Sequence, residues 1–179
     1  MPEIQIRPAT ATDIAALMAI DHNYTSDNVW QMEIQSEEGL VGVSFREIRL
    51  PRSVRVAYPH KVEALTEDWN QRAGVLVALF EDQPVGYISL MLNVAPLTAW
   101  VSDLAVIRRL RRQGIGSTLV LAGQELSSNL GCHRMVLEMQ PKNYAIIQLV
   151  KKLGYDFCGY NERYYANHDI GLFFGKSVR

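Results

Sequence analysis

One stretch constrains the fold of this chain more than any other: Ser102 to Ser117 reads S-D-L-A-V-I-R-R-L-R-R-Q-G-I-G-S. It begins with an apolar run typical of a strand, continues through four arginines, and ends in Gly114-Ile115-Gly116. Apolar residues at helical spacing follow from Leu119, so the pattern predicts a strand, a basic loop and a helix in direct succession. Glycines let the backbone approach an anion closely, and a helix N-terminus offers unpaired N–H groups. The stretch therefore predicts a pyrophosphate site.

Two common kinds of phosphate loop do not fit this stretch. A Walker loop ends in Gly-Lys-Ser/Thr, whereas Gly116 is followed directly by Ser117. A dinucleotide fingerprint requires a third glycine three residues after the second, and Leu119 occupies that position. The sequence therefore disfavours a nucleotide-dependent oxidoreductase.

The pattern that fits is Arg-x-x-Gly-x-Gly at Arg111, Gly114 and Gly116, which resembles motif A of the GNAT superfamily (GCN5-related N-acetyltransferases). A second segment, from Asn143 to Tyr155, resembles motif B of the same superfamily, with an Asn, an apolar helical face and a terminal Gly-aromatic pair. The resemblance implies an α/β GNAT fold, in which a central mixed, mostly antiparallel twisted sheet is flanked by helices on both faces.

The order of predicted elements agrees with this resemblance. Hydrophobic periodicity and turn residues predict a first strand, a first helix capped by Thr10 or Thr12, and a hairpin around Glu81 to Pro84. The later elements are predicted as strands Thr98–Ile107, Arg134–Met139, Tyr155–Tyr164 and Ile170–Phe174, with helices Gly116–Asn129 and Lys142–Leu153.

The resemblance also implies acetyl-CoA as cosubstrate, with no metal. The coenzyme is then expected to be held by the backbone of the motif A strand, by the glycine loop and by the motif B Asn. The implied coenzyme-binding residues are Leu104, Ala105, Val106, Arg111, Arg112, Gln113, Gly114, Ile115, Gly116, Ser117 and Asn143.

Two catalytic candidates follow from the chemistry of amine acetylation. The amine must lose a proton, and relatives often carry Glu-Asp at the start of the motif A strand, where this chain has Ser102-Asp103. Asp103 is therefore the predicted base, acting through water. Relatives also carry a Tyr seven residues after the motif B Asn, and Val150 occupies that position here. Tyr164 is the predicted substitute for this acid.

The region 23–73 is predicted to vary with the acceptor and to cover its site. It has mostly extended character, with a turn over Tyr24–Asn28, a break at Leu50-Pro51 and a helix over His60–Arg72. Its aromatic and charged residues are candidates for substrate contacts, and Tyr24, Trp30 and Glu47 are the predicted contacts.

Length and charge bound the remaining possibilities. A chain of 179 residues suits one domain, 1–179, rather than two. A net charge of −1 argues against a nucleic-acid partner, which would favour a strong basic excess. The sequence contains no apolar run of transmembrane length and no signal peptide, so we expect no membrane partner and a cytoplasmic location. A second copy of the chain is a further candidate partner.

Two functions remain open at this stage. The first is an N-acetyltransferase that transfers the acetyl group of acetyl-CoA directly to a primary amine of a small molecule or of a protein N-terminus. The alternative is a GNAT-like module that holds coenzyme A for regulation after its catalytic residues were lost. The D-L-A-V strand resembles both streptothricin-type and ribosomal-protein-type acetyltransferases, and it does not choose between their acceptors.

Overall fold

A computed structural model describes residues 3–179 of the chain. It contains nine strands and four α-helices within this range. The strands are β1 Gln5–Pro8, β2 Tyr24–Glu37, β3 Leu40–Val56, β4 Gly74–Phe80, β5 Gln83–Met91, β6 Thr98–Val106, β7 Arg134–Met139, β8 Asp156–Asn161 and β9 Gly171–Ser177. The helices are α1 Ala11–Met18, α2 Ala64–Asp68, α3 Ile115–Asn129 and α4 Tyr144–Lys152.

Seven of the strands form one sheet in the order β1-β4-β5-β6-β7-β9-β8, and β2 and β3 form a separate two-stranded sheet. All neighbours in the larger sheet are antiparallel except β6 and β7, which are parallel and are joined through α3. The central strands β4 and β5 are buried along almost their whole length, because helices cover both faces of the sheet. The predicted fold class is confirmed.

Each face of the large sheet carries its own apolar core. On one face α3 and α4 pack through residues such as Leu119 and Ile147, both fully buried. On the other face α1 and α2 pack through residues such as Leu17 and Leu65. Alternate residues of β6 serve the two cores, since Leu104 contacts the α3 side and Ala105 the α1 side.

The region before α2 is more regular than its sequence predicts. Residues Tyr24–Asn28 were expected to form a turn, but they begin β2 and pair with the end of β3. A break at Leu50-Pro51 was also expected, whereas β3 continues through it. The register between β2 and β3 is irregular opposite Asp27, and Leu50-Pro51 lies in this unpaired stretch of β3. Pro51 therefore need not donate a ladder hydrogen bond. Both predictions are wrong for this reason.

The expected helix over His60–Arg72 is mostly absent. Only Ala64–Asp68 is α-helical, preceded by turns and bends. The His60 side chain hydrogen-bonds to Glu138 on β7, and this contact is made from outside the helix. The helix prediction is therefore correct in position and wrong in length.

The pairing of β6 with β7 stops before the end of both strands. The parallel register runs from Thr98 opposite Arg134 to Val101 opposite Leu137. Ser102 is an extra residue on β6 at an irregularity in its pairing with β5. Beyond this point β6 and β7 are no longer paired, and a cleft opens between them, while β6 continues to Val106 before the glycine loop.

A buried carboxylate at the start of α1 gives a prediction about stability. Asp13 accepts two hydrogen bonds from Arg7, at 2.7 and 2.9 Å, and one from the Thr10 backbone at 2.7 Å. The Arg7 hydrogen bond is the main reason that the pKa of Asp13 falls to about 2. We expect Asp13→Asn to lower the free energy of unfolding by about 1 kcal/mol at neutral pH, as loss of a helix cap does.

The pH dependence of this effect has a definite sign. A folded-state pKa below the unfolded value contributes stability above the unfolded pKa, and this contribution is lost as pH falls from about 4 towards 2. Urea unfolding should therefore show the difference between wild type and Asp13→Asn shrinking over this window. Asp156→Asn, at an exposed position, is the control. A difference that stays constant down to pH 2 would contradict the assignment.

Candidate active site

The cleft between β6 and β7 gathers residues from five parts of the chain. Its free volume is about 420 Å³, including open solvent. Its walls come from the two strands at and just past the end of their paired section, the start of α4, the segment before α2, and the turn before β9. The lining residues are Tyr58, Pro59, His60, Val101, Ser102, Leu104, Leu137, Glu138, Met139, Gln140, Asn143, Ile146 and Tyr165.

A histidine–carboxylate pair lies in this cleft. His60 Nε2 donates to Glu138 Oε1 over 2.9 Å, and the His60 side chain remains one-third exposed while that of Glu138 is 3% exposed. Burial lowers the pKa of His60, but the Glu138 hydrogen bond and the charge of Asp103 outweigh it, so the pKa lies above its usual 6.5. Because Nε2 donates to Glu138, Nδ1 is left free to accept a proton.

Glu138 is fixed by more than the histidine. Its second oxygen accepts from Trp100 Nε1 and from the Tyr164 hydroxyl, each at 2.5 Å. Three donors from three elements thus hold one buried carboxylate in a single orientation. Burial, followed by the Glu138 hydrogen bond and charge, raises the pKa of Tyr164. The predicted Tyr164 is not among the lining residues, but its hydroxyl donates to Glu138, which lines the cleft.

Asp103 lies next to this pair, in a network of its own. The Tyr58 hydroxyl, Ser102 Oγ at 2.8 Å and Arg72 Nη1 at 2.6 Å all donate to its carboxylate. Burial raises the pKa of Asp103, but the Tyr58 hydrogen bond and the positive charges of His60 and Arg72 outweigh it, so the pKa lies below its usual value. These contacts favour a permanently ionised carboxylate that organises its neighbours over one that accepts a proton.

A second histidine, His22, is buried and supports the wall of the cleft. His22 Nδ1 donates to the Ile20 carbonyl at 2.7 Å, and Nε2 lies 2.9 Å from the Tyr87 hydroxyl. Its ring packs against Tyr58, with the ring centroids 4.8 Å apart. Burial is the main cause that lowers the pKa of His22, so it is neutral at physiological pH. Both of its nitrogens are occupied, which suits support rather than proton transfer.

The glycine loop lies beyond the end of β6, at the N-terminus of α3, and none of its residues lines the cleft. Gly114 is the N-cap of this helix with φ of 88°, a left-handed conformation that favours glycine. The N–H groups of Ile115, Gly116 and Ser117 belong to the first turn, for which a helix has no backbone acceptor. A Cβ on Gly116 would lie 3.0 Å from Leu149 of α4, so this glycine also allows the two helices to pack closely. The loop can thus hold an anion by backbone donors.

The residues predicted to bind the coenzyme differ in whether their side chains line the cleft, are buried in a core or are exposed. Leu104 lines the cleft, whereas the side chains of Ala105 and Ile115 are buried in the cores and leave only their backbone to bind a ligand. Val106 is half-buried, and Arg112 and Gln113 are exposed. Arg111 differs from all of these, because its guanidinium donates to backbone carbonyls of the protein.

Asn143 sits where motif B predicts a coenzyme contact, at the N-cap of α4. Its side chain accepts from the Ile146 backbone at 3.4 Å, and it lines the cleft. The helix it begins ends as expected, with Gly154 at φ of 79° just after Leu153. Asn143 is therefore both a helix cap and a wall residue of the cleft, and its role towards the coenzyme stays a prediction.

The three residues that were predicted to contact the amine substrate lie in surroundings different from those of the cleft residues. The Tyr24 hydroxyl donates to Gln140 at 2.8 Å and so supports a cleft residue from behind. Trp30 packs against Phe174 at a centroid distance of 5.5 Å, within an aromatic cluster outside the cleft. Glu47 is exposed beside Tyr144, whose pKa it raises. None of the three lines the cleft.

Sequence reasoning missed the two residues that the geometry places together, His60 and Glu138. A signal was present for one of them, since Glu138 is the sole charged residue inside the apolar strand segment Met135–Met139. A carboxylate there must be paired when the strand is central and buried. His60 carried no comparable signal, because only the folded chain brings it across the sheet.

Two further features of the described residues bear on the chemistry. Within residues 3–179, no three His, Cys, Asp or Glu side chains come together in a way that could hold a metal ion. In the same range, no helix is both long and apolar enough to span a membrane.

Comparison with proteins of known sequence gives two informative relatives. The chain is 32% identical over 96 residues to N-alpha-acetyltransferase 30 of Schizosaccharomyces pombe, a match that covers 51% of this chain and 63% of that protein. It therefore spans less than two-thirds of this relative. It is 22% identical over 167 residues to the streptothricin acetyltransferase of Streptomyces lavendulae, covering 90% of this chain and 86% of that protein.

Comparison with solved structures shows the same fold. A nourseothricin acetyltransferase superposes with a TM-score of 0.81 at 19% identity, covering 98% of this chain and 99% of that one. A Bacillus anthracis protein assigned as a streptothricin acetyltransferase, solved with acetyl coenzyme A, superposes with a TM-score of 0.75 at 17% identity and the same coverage. The family model for the acetyltransferase (GNAT) family matches residues 43–155, which is more than half of the chain. The split sheet, the glycine loop and this match together show that the chain belongs to the acetyltransferase (GNAT) family.

Proposed function

We propose that this protein transfers the acetyl group of acetyl-CoA directly to a primary amine, with His60 as the base and Glu138 as the group that orients it. Its class as an acetyl-CoA-dependent acetyltransferase follows from the family. The acceptor is a primary amine of a small molecule or of a protein N-terminus, in keeping with the names of its relatives. A cytoplasmic location and a single domain over 1–179 belong to the same proposal.

The observation that supports this function is the place of the His60–Glu138 pair. It lies where β6 and β7 separate, in a cleft that also reaches Asn143 at the start of α4. A thioester arm extending from the glycine loop between the strands would end beside this pair. The residues present thus fit both halves of an acetyl transfer, an anion site and a proton acceptor.

Acetyl-CoA supplies the acetyl group: the amine nitrogen forms a bond to the thioester carbonyl carbon and the carbon–sulfur bond breaks. His60 Nδ1, directly or through water, takes the proton that the substrate ammonium must lose before its nitrogen can attack. Glu138 stabilises the resulting imidazolium because its carboxylate already accepts from Nε2. Backbone N–H groups of β6 beyond Val101 have lost their β7 partner and can donate to the developing oxyanion.

The thiolate of coenzyme A then leaves. Thiols are acidic enough to leave as thiolates near neutral pH, so this step requires little help from an acid. The proton held by His60 can pass to that thiolate or to water, and the enzyme returns to its starting state. The Tyr164 hydroxyl, linked to His60 by two hydrogen bonds through Glu138, is the proposed route for this proton.

A direct assay tests the function. The protein is incubated with acetyl-CoA and, in turn, streptothricin, a peptide with a free N-terminus, and a polyamine, while free thiol release and product mass are followed. We expect thiol release that depends on an amine and a product heavier by one acetyl group. Coenzyme A binding by calorimetry without any transfer would support the alternative, a regulatory module. Binding of NAD in place of coenzyme A would overturn both.

The pH profile of kcat/KM should report the ionisation of His60. The neutral imidazole is the active form, so the rate should rise with pH through an apparent pKa above 6.5. In Glu138→Gln the carboxylate that raises this pKa is gone and burial still lowers it, so the acidic limb should move to lower pH. Ionisation of the amine adds a limb at higher pH that both enzymes share.

The control for this profile is Glu162→Gln, which removes an exposed carboxylate elsewhere. Its acidic limb should coincide with that of the wild type. An acidic limb that stays in place in Glu138→Gln would show that His60 is not the group titrating.

A further inference from the structure

The guanidinium of Arg111, the first residue of the Arg-x-x-Gly-x-Gly pattern, is occupied by the protein itself. Its Nε donates to the Val106 carbonyl at 2.8 Å and Nη1 to the Asn23 carbonyl at 3.1 Å, and Nη2 donates to the Asp21 carbonyl. A guanidinium offers five donors in a rigid fork, so three bonds to fixed carbonyls leave it little freedom to turn towards a phosphate. Arg111 thus ties the glycine loop to the segment that follows α1.

The segment held by Arg111 continues to the wall of the cleft. Asn23 Oδ1 accepts from the Tyr58 backbone N–H at 2.8 Å. The Tyr58 hydroxyl in turn donates to Asp103, and its ring lines the cleft next to His60. One chain of contacts therefore runs from the glycine loop, through Asn23, to the wall of the cleft formed by Tyr58.

The neighbouring arginines show the opposite arrangement. Arg108, Arg109 and Arg112 are exposed, and their side chains make no hydrogen bond or ion pair with any other residue of 3–179. They carry the full charges that are free to meet a pyrophosphate. The basic cluster thus divides into three arginines that face solvent and one, Arg111, that is directed into the protein.

We propose that Arg111 is a positioning residue of the acceptor side of the cleft, which fastens residues 21–23 and, through Asn23, Tyr58 to the loop that receives the coenzyme. Binding at the loop and order in the acceptor wall are then coupled, and such coupling is reciprocal. The kinetic part of this inference rests on the proposed function. The structural part does not, because it concerns contacts that exist without an amine.

Backbone hydrogen exchange tests the structural part without turnover. Adding coenzyme A to wild-type protein should slow exchange in peptides covering residues 20–24 and 57–60. Arg111→Lys keeps the positive charge but lacks the forked guanidinium donors. The protection of these two segments by coenzyme A should therefore fall several-fold, while the rest of the sheet exchanges as before. Arg112→Gln is the matched variant: it should weaken coenzyme A binding and leave the exchange of both segments at coenzyme saturation unchanged.

Kinetics provide the second readout. In Arg111→Lys the KM for the amine should rise by roughly fivefold or more, within the usual range of coupling, while coenzyme A affinity changes less than in Arg112→Gln. The reverse pattern, a loss of coenzyme A affinity equal to that of Arg112→Gln with normal exchange at 20–24 and 57–60, would show that Arg111 is a phosphate ligand and overturn the proposal. A wild-type protein without transferase activity would defeat the proposed function, and the exchange data would still decide the role of Arg111.

Discussion

A His60→Gln enzyme is expected to turn over roughly a hundredfold or more slowly than the wild type, the usual contribution of a general base. Glutamine can still donate an N–H to Glu138, so the buried carboxylate keeps a partner and the cleft keeps its shape. The variant lacks only the nitrogen that accepts a proton. The KM for acetyl-CoA should barely change, because the proposed coenzyme site consists of the loop and the start of α4 and does not include His60.

The control for this variant is His133→Gln, at an exposed position beside β7. It should have wild-type turnover. Raising the pH should restore part of the rate of His60→Gln, since more of the amine then arrives without its extra proton. A His60→Gln enzyme at full rate would remove His60 from the mechanism, and Asp103 would then be the carboxylate to test.

Gly114→Asp should weaken coenzyme A binding by at least tenfold, about 1.4 kcal/mol in binding free energy. Two causes act together. A residue with a Cβ is strained at φ of 88°, and the carboxylate would face a pyrophosphate across the first turn of α3. Calorimetry with coenzyme A measures the effect directly, on protein whose fold has been checked by circular dichroism.

Two matched variants separate the two causes. Gly131→Asp places the same side chain at another left-handed glycine, φ of 79°, with no atom within 4 Å of the added Cβ. It should cost stability without changing coenzyme A affinity. Gly114→Asn brings a residue that tolerates left-handed backbone and has no charge, so it should bind coenzyme A more tightly than Gly114→Asp. Equal affinities for Gly114→Asp and the wild type would refute the anion site in the loop.

The local structure around the predicted coenzyme residues could be predicted from the sequence better than the contacts on the acceptor side. Gly114, Gly116 and Asn143 lie in local motifs, where a few neighbouring residues determine a turn and a helix start. The structure places all three at the expected helix ends. Local chemistry therefore sufficed to predict α3, α4 and the loop between β6 and α3.

The acceptor side depends on contacts between distant parts of the chain. His60 meets Glu138 across 78 positions of sequence, and Tyr58 meets Asp103 across 45. No local pattern specifies such pairs, because each side chain alone resembles an ordinary surface or strand residue. For the same reason Tyr24, Trp30 and Glu47 were selected by residue type, and the fold places them outside the cleft lining.

The β2–β3 hairpin has a consequence for how the chain reaches its native state. In the large sheet β1 must pair with β4, bringing Gln5 opposite Leu79, so a long intervening chain has to close. The hairpin forms from neighbouring segments across the tight turn at Gly39, and it sets Tyr24 beside Val56. Once it has formed, the loop that β1 and β4 must close is effectively much shorter, and the entropy lost on closure falls accordingly. We therefore expect the hairpin to precede the β1–β4 pairing during folding, since hairpins form within microseconds and long-range strand pairs form later.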